Sequence, residues 1–226
     1  MKIEKRYVPS YKGTLRSHMV QVPGCIRKAS GIHIFGRRIK SIAFSTDVAI
    51  IRNINADAII AVYPFTPQPA ITNAVMAAAD MPVFVGVGGG TTRGERVVRI
   101  ASDAEFSGAF GVVVNSPTEN ETIRQLKNNI DIPVVVTVVS ENTDIGARLE
   151  AGADFINVSG AAKTAEIVRH IRCEFPRVPI IATGGPTDET IIETIEAGAN
   201  AITYTPPTTG ELFTDMMIRY RNEAEN

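Results

Sequence analysis

Cysteine and histidine are scarce in this chain, and their spacing excludes several kinds of site. The 226 residues include two cysteines and three histidines. Cys25 and Cys173 form no CxxC or zinc pattern, so they are expected to be inert thiols in a reduced cytosol. No histidine stands beside a carboxylate or a second histidine at metal spacing. The sequence therefore predicts neither a metal site nor a cofactor.

An excess of positive charge and long apolar runs are also missing. The formal net charge is -1, so no overall positive field favours nucleic acid. No uninterrupted apolar run approaches the roughly 20 residues that cross a bilayer, and none follows the charged N-terminus as in a secretory signal. These absences predict a cytoplasmic protein without membrane or nucleic-acid partners.

Two short sequence motifs alternate through most of the chain, and each is followed by an apolar run. One is a small-residue turn, as in Ala151 to Asp154. The other is a proline such as Pro133, which is tolerated at the first residue of a strand. Runs without alternation are typical of parallel strands buried on both faces. Eight such strands are predicted, near residues 41–45, 58–63, 83–86, 111–115, 134–137, 155–159, 180–183 and 201–205.

Eight regularly spaced strands predict an α/β fold of the (β/α)8 TIM barrel type, in a single domain covering residues 1–226. The units between Ser41 and Ala201 average about 23 residues, close to the usual barrel unit. A doubly wound open sheet is the rival fold, but no GxGxxG turn follows the first strand. Residues 41–221 would form the barrel. Residues 1–40 would be an N-terminal extension capping its bottom, with a helix at Leu15–Ala29 and a short strand at Ile32–Phe35.

Capping and periodicity mark the helices between the strands. Thr118 with Glu121, and Thr208 with Glu211, have the spacing of a capping box. Apolar stripes on the predicted helices are expected to pack on the barrel. These stripes comprise Ile167, Val168 and Ile171, then Ile191, Ile192 and Ile195, and finally Leu212, Phe213, Met216, Met217 and Tyr220.

The turns after the seventh and eighth strands carry the strongest signal for a ligand. In such barrels the site lies at the C-terminal ends of the strands, and phosphate often binds between these two loops. Gly184 and Gly185 would let backbone N–H groups approach an anion, although a glycine pair can also be a simple tight turn. The predicted phosphate-binding residues of these turns are Thr183, Gly184, Gly185, Thr205, Thr208 and Thr209.

A second glycine-rich loop follows the third strand. Gly89 and Gly90 indicate either a mobile lid or a close approach to a ligand. Arg93 could clamp a phosphate or carboxylate bidentately, or could be a solvated arginine. The loop is therefore predicted to contribute to the same substrate site.

Candidates for catalysis are few, since no GxSxG elbow or HExxH motif is present and neither cysteine ends a strand. Asp47 follows the first strand as a general base or as an N-terminal helix residue. Lys163, in the loop after the sixth strand, is either a site residue or a solvated lysine. Asn115 and Asn157 end apolar strands, where an amide needs hydrogen-bond partners that a ligand site supplies. The predicted catalytic set comprises these four residues.

Residues 181–187 resemble the phosphate-binding turn of the 2-keto-3-deoxy-6-phosphogluconate aldolase family, and the repeat as a whole resembles the ribulose-phosphate-binding class of barrels. That resemblance implies that Thr183, Gly184 and Gly185 hold a substrate phosphate. The aldolases form a Schiff base through a lysine on the sixth strand, whereas residues 155–158 of this chain contain none. The whole chain is also similar to bacterial barrel proteins labelled only as hydrolases.

Together the residues and the resemblance predict an enzyme that acts on a small phosphorylated or carboxylated metabolite at the C-terminal face of the barrel. Of the reaction classes considered, carbonyl chemistry of lyase or isomerase type requires the fewest catalytic groups that the sequence lacks. Two alternatives stay open: a metal-dependent hydrolase using Asp47 and Glu141, and a non-catalytic regulator that binds a metabolite. Whether the chain forms a homo-oligomer is also open.

Overall fold

Eight parallel strands close into a barrel in the computed structural model, which describes residues 7–11, 13–14 and 19–224. Neighbouring barrel strands follow chain order, and the last strand pairs with the first. This confirms the predicted (β/α)8 TIM barrel, while the single-domain assignment of residues 1–226 stays a prediction. A hairpin of β1 (Ile32–Ile34) and β2 (Arg37–Ile39) precedes the barrel strands, which are β3 (Ser41–Phe44), β4 (Ala58–Ala61), β5 (Val83–Gly88), β6 (Gly111–Val114), β7 (Val134–Val138), β8 (Phe155–Val158), β9 (Ile180–Thr183) and β10 (Ala201–Tyr204).

A helix follows each barrel strand. Short 3-10 helices also occur at Gly24–Lys28 and Ala161–Lys163. None of the helices in the described ranges is long and apolar enough to span a membrane. The α-helices are α1 (Val48–Arg52), α2 (Pro69–Ala78), α3 (Glu95–Phe106), α4 (Asn120–Asn129), α5 (Ile145–Glu150), α6 (Thr164–Glu174), α7 (Asp188–Glu196) and α8 (Thr209–Ala224).

Side chains alternate between two cores along each barrel strand. Inward-facing residues such as Ile42, Phe84 and Val135 are buried inside the ring. Outward-facing residues such as Ile59 and Ile156 are buried between the strands and the surrounding helices. Because both faces of each strand are covered, the sequence shows continuous apolar runs instead of alternation.

The hairpin of β1 and β2 closes the N-terminal end of the barrel. Ile32, Ile34 and Ile39 join the core inside the ring. Phe35, at the hairpin turn, lies edge-on to Phe110, with ring centroids 5.3 Å apart. Phe110 directly precedes β6, so this contact lies at the bottom of the barrel. The predicted N-terminal cap is present, and it is built from a hairpin.

The helix predicted over Leu15–Ala29 is wrong where the structure describes it. Residues 19–23 are not helical, only Gly24–Lys28 form a 3-10 helix, and residues 15–18 lie outside the described residues. The backbone of Val20 pairs instead with residues 53 and 55. Pro23 contributes to the break, since it has no backbone N–H to continue a helix.

Residues 19–28 lie between the first and seventh helices of the ring. At one end, the Val20 N–H donates to the Asn53 carbonyl just after α1, at 2.8 Å. At the other end, Cys25 Sγ lies 3.4 Å from Asp188 Oδ1 at the start of α7, and Ile26 is fully buried. In a regular barrel this position belongs to the eighth helix, because the helices follow chain order around the ring.

The apolar stripe of α8 is exposed, whereas the stripes of α6 and α7 contain buried residues. None of the 16 residues of α8 is buried against the described part of the chain. Phe213 and Tyr220 retain 59% and 55% of their accessible surface. The prediction of a core-facing stripe is therefore wrong for α8, because residues 19–28 already occupy the usual place of that helix.

One of the two predicted capping boxes is present. Thr208 Oγ1 accepts the Glu211 N–H at 3.2 Å, and Glu211 Oε2 accepts the Thr208 N–H at 2.7 Å. The box predicted at Thr118 is absent, since Glu119 occupies the N-cap position of α4 and caps it with no side-chain hydrogen bond. Thr118 Oγ1 is buried without a hydrogen-bond partner in the described chain.

Candidate functional site

The C-terminal ends of the barrel strands surround a cavity of about 350 Å³, the mouth cavity. A volume of this size suits a small metabolite. The side chains on its wall are apolar or are neutral amides and hydroxyls, and none of the described residues places an ionisable group there. The wall consists of Phe44, Ile60, Val62, Val113, Asn115, Thr137, Val139, Asn157, Ser159, Thr183, Thr203 and Thr205.

Two buried polar atoms of the mouth cavity have no hydrogen-bond partner within the described residues. They are Asn157 Oδ1 and Thr203 Oγ1, on side chains of residues that are 8% and 6% exposed. The Asn157 amide is oriented by its Nδ2, which donates to Thr137 Oγ1 on the adjacent β7 at 3.2 Å. An unpaired buried polar atom costs about 1–3 kcal/mol. Both residues line the mouth cavity, so a ligand or a water bound there is the nearest group outside the chain that could complete their hydrogen bonding.

Asn115 connects the mouth cavity to a neighbouring cavity of about 180 Å³, the side cavity. Val62 lines both cavities as well. Gly90 of the glycine-rich loop lies on the wall of the side cavity, and Tyr63 and Phe65 give that wall an aromatic part. The fold thus brings the predicted residues Asn115 and Gly90 into one composite site with the mouth cavity.

Gly89 serves a close approach between two loops. Its φ is 97°, and a Cβ there would lie 2.3 Å from Thr118 Oγ1 and 2.7 Å from the Asn115 backbone nitrogen. The Asn115 N–H also donates to the Gly88 carbonyl at 3.0 Å. Glycine at position 89 therefore lets the loop after β5 pack on the loop after β6, which positions Asn115 at the site.

The glycine pair after β9 packs against the chain itself. A Cβ on Gly184 would lie 2.7 Å from Ile191 and 2.8 Å from Ile202. Gly185 has a φ of 81°, and a Cβ on it would lie 2.6 Å from Thr190 Oγ1. Both glycines are therefore required by packing and backbone conformation, whether or not a ligand binds.

Hydrogen-bond donors at the start of α7 are largely occupied. Thr187 and Thr190 form a reciprocal capping box. The Glu189 N–H and the Thr187 side chain bond the Glu189 carboxylate, and these hydrogen bonds hold the pKa of that carboxyl below its ordinary value. Asp188 and Glu189 also place two carboxylates in the first helical turn. Occupied donors and negative charge both oppose the binding of a phosphate at this helix end.

The turn after β10 repeats this arrangement. Thr205 lines the mouth cavity, but Thr208 is engaged in the capping box with Glu211. The Thr208 backbone N–H and hydroxyl hold the pKa of Glu211 below its ordinary value. The Thr209 N–H donates to Asp47 Oδ2 at 3.1 Å. The N-terminus of α8 therefore has little donor capacity left for an anion.

Asp47 caps α1 and anchors the start of α8, and it does not line the mouth cavity. Its Oδ1 accepts the N–H groups of Ala49 at 2.9 Å and Ile50 at 3.3 Å. Burial raises the pKa of Asp47, but hydrogen bonds from Thr209, Ile50 and Ala49 outweigh it and leave that pKa below the ordinary value. A carboxylate held ionised by four hydrogen bonds suits a helix cap better than a general base.

Two predicted cationic residues lie outside both cavities. Arg93 is exposed, and its Nε donates to the Gly90 carbonyl at 3.1 Å. It borders a small groove with Thr118 and Glu119 instead. Lys163 ends the 3-10 helix Ala161–Lys163 and is exposed. Either side chain would have to move to contact a ligand in the mouth cavity.

Within the described ranges, no group of three or more His, Cys, Asp or Glu side chains could hold a metal ion. Glu141, a predicted ligand of the hydrolase alternative, is exposed. His170 does stand beside a carboxylate, contrary to the sequence expectation: its Nε2 lies 3.6 Å from Glu174 Oε1. Both side chains are about half exposed on one turn of α6, so the pair is a surface contact.

Thr203 is a site residue that the sequence reasoning missed. It faces inward from β10, in register with Thr183 of β9. A hydroxyl in an otherwise apolar inward position is the same signal that identified Asn157, so the pattern was available. Phe44 and Ile60 were missed because apolar wall residues look the same as core in a sequence.

No family model matches the chain, and no curated protein matches it. Solved structures do match. Phosphoenolpyruvate phosphomutase from Streptomyces platensis subsp. rosaceus is 13% identical, over 87% of this chain and 83% of that one, with a TM-score of 0.61. Phosphonopyruvate hydrolase is 14% identical, over 81% of this chain and 80% of that one, with a TM-score of 0.59. 2,3-Dimethylmalate lyase, a member of the PEP mutase/isocitrate lyase superfamily, is 15% identical, over 89% of this chain and 81% of that one, with a TM-score of 0.60.

At these identities the similarity establishes the TIM barrel fold alone. It does not support the closer resemblance to 2-keto-3-deoxy-6-phosphogluconate aldolases that residues 181–187 suggested. The packing of Gly184 and Gly185 gives the physical reason. A glycine pair that is required for helix packing can occur in barrels that bind no phosphate at this turn.

Proposed function

We propose that the mouth cavity binds a small metabolite rich in carbonyl and hydroxyl groups, as the substrate of a lyase- or isomerase-type reaction. The observation that carries this proposal is the pair of unpartnered atoms, Asn157 Oδ1 and Thr203 Oγ1. Asn157 Oδ1 accepts a hydrogen bond from a ligand hydroxyl. Thr203 Oγ1 can donate to a carbonyl or accept from a hydroxyl.

The neutral wall of the mouth cavity restricts which part of the metabolite it takes. No described cationic side chain lines this cavity, and burying an unpaired charge is costly. The uncharged, reacting part of the metabolite therefore lies between Asn157 and Thr203. A carboxylate or phosphate end lies towards the side cavity, where the glycine-rich loop carries Gly90 on the wall and Arg93 three residues later.

The compounds that the structural neighbours are named for are consistent with this substrate class. Phosphonopyruvate, phosphoenolpyruvate and 2,3-dimethylmalate are all small carboxylic acids. They combine an acidic end with a carbonyl, enol or hydroxyl group. Because the identities are low, this supports the proposal through the shared fold alone.

A second candidate is a non-catalytic protein that binds the same metabolite. It is favoured by the lack of an ionisable group on the described wall of the mouth cavity, since acid–base chemistry needs such a group within hydrogen-bond reach. Tyr63 is the one ionisable side chain among the described residues that line the side cavity. The metal-dependent hydrolase has less support, because Asp47 is engaged as a cap and no ligand cluster exists in the described chain.

A thermal-shift screen tests the binding proposal. Small keto acids, hydroxy acids and their phosphorylated analogues are compared with the same compounds lacking the hydroxyl or carbonyl group. A ligand that binds only the folded state raises the melting temperature, and we expect this for oxygen-rich acids alone. Each stabilising compound is then incubated with the protein and followed by NMR: conversion supports the enzyme, and binding without conversion supports the second candidate.

Variants give the screen its control. Asn157→Leu removes the unpartnered amide and should abolish the ligand-induced shift. Asn128→Leu makes the same change on the exposed surface of α4 and should leave the shift intact. An unchanged shift in Asn157→Leu would contradict the proposed site.

A further inference from the structure

The side cavity differs from the mouth cavity in the kind of polar group on its wall. Its described lining contains no carboxylate and no cationic side chain. Tyr63 Oη accepts the Gln68 N–H at 2.8 Å, which leaves the phenol proton free to be donated. The side-chain amide of Asn115, which lines both cavities, forms no hydrogen bond with a described residue. Both side chains therefore offer donors to a group in the side cavity.

The loop after β5 adds backbone donors to this wall. Residues 90–92 all line the side cavity. Two carbonyl groups of the loop are engaged, since the Gly89 N–H donates to the Thr92 carbonyl and Arg93 Nε donates to the Gly90 carbonyl, both at 3.1 Å. The N–H groups of Gly90, Thr91 and Thr92 have no acceptor in the described chain. Successive free N–H groups of this kind can bind an anion.

The hydroxyl of Thr92 is an independent sign of a ligand. Thr92 is only 5% exposed, and it lines the side cavity. Its hydroxyl forms no hydrogen bond with a described residue, whereas the hydroxyl of the similarly buried Thr164 both donates and accepts one. Leaving a buried hydroxyl unpaired is unfavourable, so a group inside the cavity is expected to accept its proton.

Charges beside the loop favour an anion. Arg93 and Arg96 are exposed and take part in no ion pair within the described ranges. Glu95, between them in sequence, is paired with Arg99 at 2.6 Å. Glu119, which borders the same groove as Arg93, offsets part of this positive charge. The remaining positive charge attracts an anion towards the loop from outside the cavity.

We propose that the side cavity is a carboxylate subsite, in which the N–H groups of residues 90–92 and the Thr92 hydroxyl bind the acid group of the metabolite. A phosphate group carries a charge of about −1.5 to −2 at neutral pH. Neutral donors, with no cation on the described wall, compensate a single buried charge better than a double one. The metabolite is therefore a carboxylic acid. Its identification rests on the proposed function, whereas the subsite itself does not.

Titrations followed by amide NMR test the subsite with minimal probes, namely acetate, methyl phosphate and the neutral acetamide, at equal ionic strength. Acetate should shift the amide proton signals of residues 90–92 downfield and saturate in the millimolar range, as expected for a ligand of few atoms. Methyl phosphate should bind at least about tenfold more weakly, and acetamide should not move these signals. The proposal would be overturned by methyl phosphate that binds as tightly as acetate, by acetamide that gives equal shifts, or by the absence of shifts with acetate.

Position 90 allows a test of charge. A Cβ on Gly90 meets nothing within 4 Å, so a side chain can be added there without a clash at Cβ. Gly90→Asp brings a negative charge to the wall, and Gly90→Asn is its neutral control of equal size. Acetate should bind Gly90→Asp at least about tenfold more weakly than it binds Gly90→Asn. Equal affinities would place the anion elsewhere and contradict the proposal.

Thr92→Val tests the hydroxyl. It removes one hydrogen bond and keeps the shape of the side chain, so it should weaken acetate binding about threefold to tenfold. Thr122→Val is the matched control: Thr122 is 6% exposed and borders the same groove as Thr92, but it lines neither cavity. Its affinity for acetate should equal that of the wild type. An unchanged affinity in Thr92→Val would contradict the role assigned to this hydroxyl.

These measurements separate the subsite from the proposed function. If acetate binds at residues 90–92 but no keto or hydroxy acid binds more tightly, the subsite stands and the proposed function fails. If keto or hydroxy acids stabilise the protein through Asn157 while acetate leaves the signals of residues 90–92 unshifted, the proposed function stands and the carboxylate subsite is wrong.

Discussion

The C-terminal end of the barrel holds two sets of polar groups that differ in how well they are satisfied. In the turns after β9 and β10, Thr187, Thr190 and Thr208 are engaged in capping boxes, and Asp47 accepts the N–H of Thr209. At the mouth cavity, Asn157 and Thr203 each keep a buried atom without a partner in the described chain. The turns have the sequence pattern of a ligand site, but their polar groups already bond to one another. The mouth cavity has polar groups that no described residue bonds.

The difference shows that donors near a helix end form an anion site only if they are free. A glycine pair followed by a threonine has the sequence pattern of an anion cradle and also that of a self-capped helix. The sequence cannot separate the two, because the deciding quantity is which side chain the backbone N–H groups meet. Unpartnered polar atoms are a better guide, since each buried one costs about 1–3 kcal/mol unless a ligand or a water pairs with it.

The largest expected effect concerns the packed turn. Gly184→Ala would place a Cβ 2.7 Å from Ile191 and 2.8 Å from Ile202, both well buried. Overpacking of this kind should lower the free energy of unfolding by about 2 kcal/mol in urea denaturation. A turn that exists for a ligand, and not for packing, would instead tolerate the alanine.

Gly90→Ala is the matched control for that substitution. A Cβ at position 90 meets nothing within 4 Å, and the residue lies on the side cavity. We expect the free energy of unfolding to stay the same or rise by up to about 1 kcal/mol. Equal losses in both variants would show that glycine content, and not the contacts of Gly184, decides stability.

The capping box gives the next largest effect. Thr187→Ala removes the acceptor for the Thr190 N–H at the start of α7, and should cost about 1 kcal/mol of unfolding free energy. Ligand-induced stabilisation should be unchanged, because Thr187 lines neither cavity. Loss of ligand binding with unchanged stability would reverse the assignment of this turn as structural.

A smaller, pH-dependent effect is expected at Asp47. Its pKa in the folded state lies below the ordinary value, so its charged form stabilises the fold above about pH 4, and that contribution is lost as the pH falls further. Asp47→Asn retains a cap but not the charge, and should lower stability by less than about 1 kcal/mol at neutral pH. The difference between wild type and variant, measured by denaturation, should vanish in acid.

Turnover of Asp47→Asn separates the cap from the catalytic role predicted from the sequence. A cap predicts that any activity found in the ligand screen survives in the variant. Activity abolished without loss of fold would instead support a general base at this position.

Much of the fold was predictable because its signals are local. Proline entries, small-residue turns and apolar runs located all eight barrel strands. The environment of α8 was not predictable. Its stripe shows that it is amphipathic, but which surface covers a stripe depends on distant chain, here residues 19–28.

The candidate site was predictable in part, for the same reason. Asn115 and Asn157 stand out because an amide is unusual at the end of an apolar strand, and both line the mouth cavity. Whether Asp47 or Thr208 is free depends on hydrogen bonds that form only in the folded chain. Such competition between a ligand and the chain itself has no local sequence signature.

The most direct test of this account compares Thr203→Val with Thr164→Val, by urea denaturation and by ligand-induced thermal shift. Thr164 is also buried, but its Oγ1 donates to the Ala161 carbonyl at 2.9 Å and accepts the Gly160 N–H at 3.1 Å. Thr164→Val should lose about 1–2 kcal/mol of unfolding free energy, whereas Thr203→Val should lose none or gain up to about 1 kcal/mol. Thr203→Val should also abolish the ligand-induced shift. A destabilised Thr203→Val that still binds the ligand would contradict the claim that this hydroxyl is kept for a ligand.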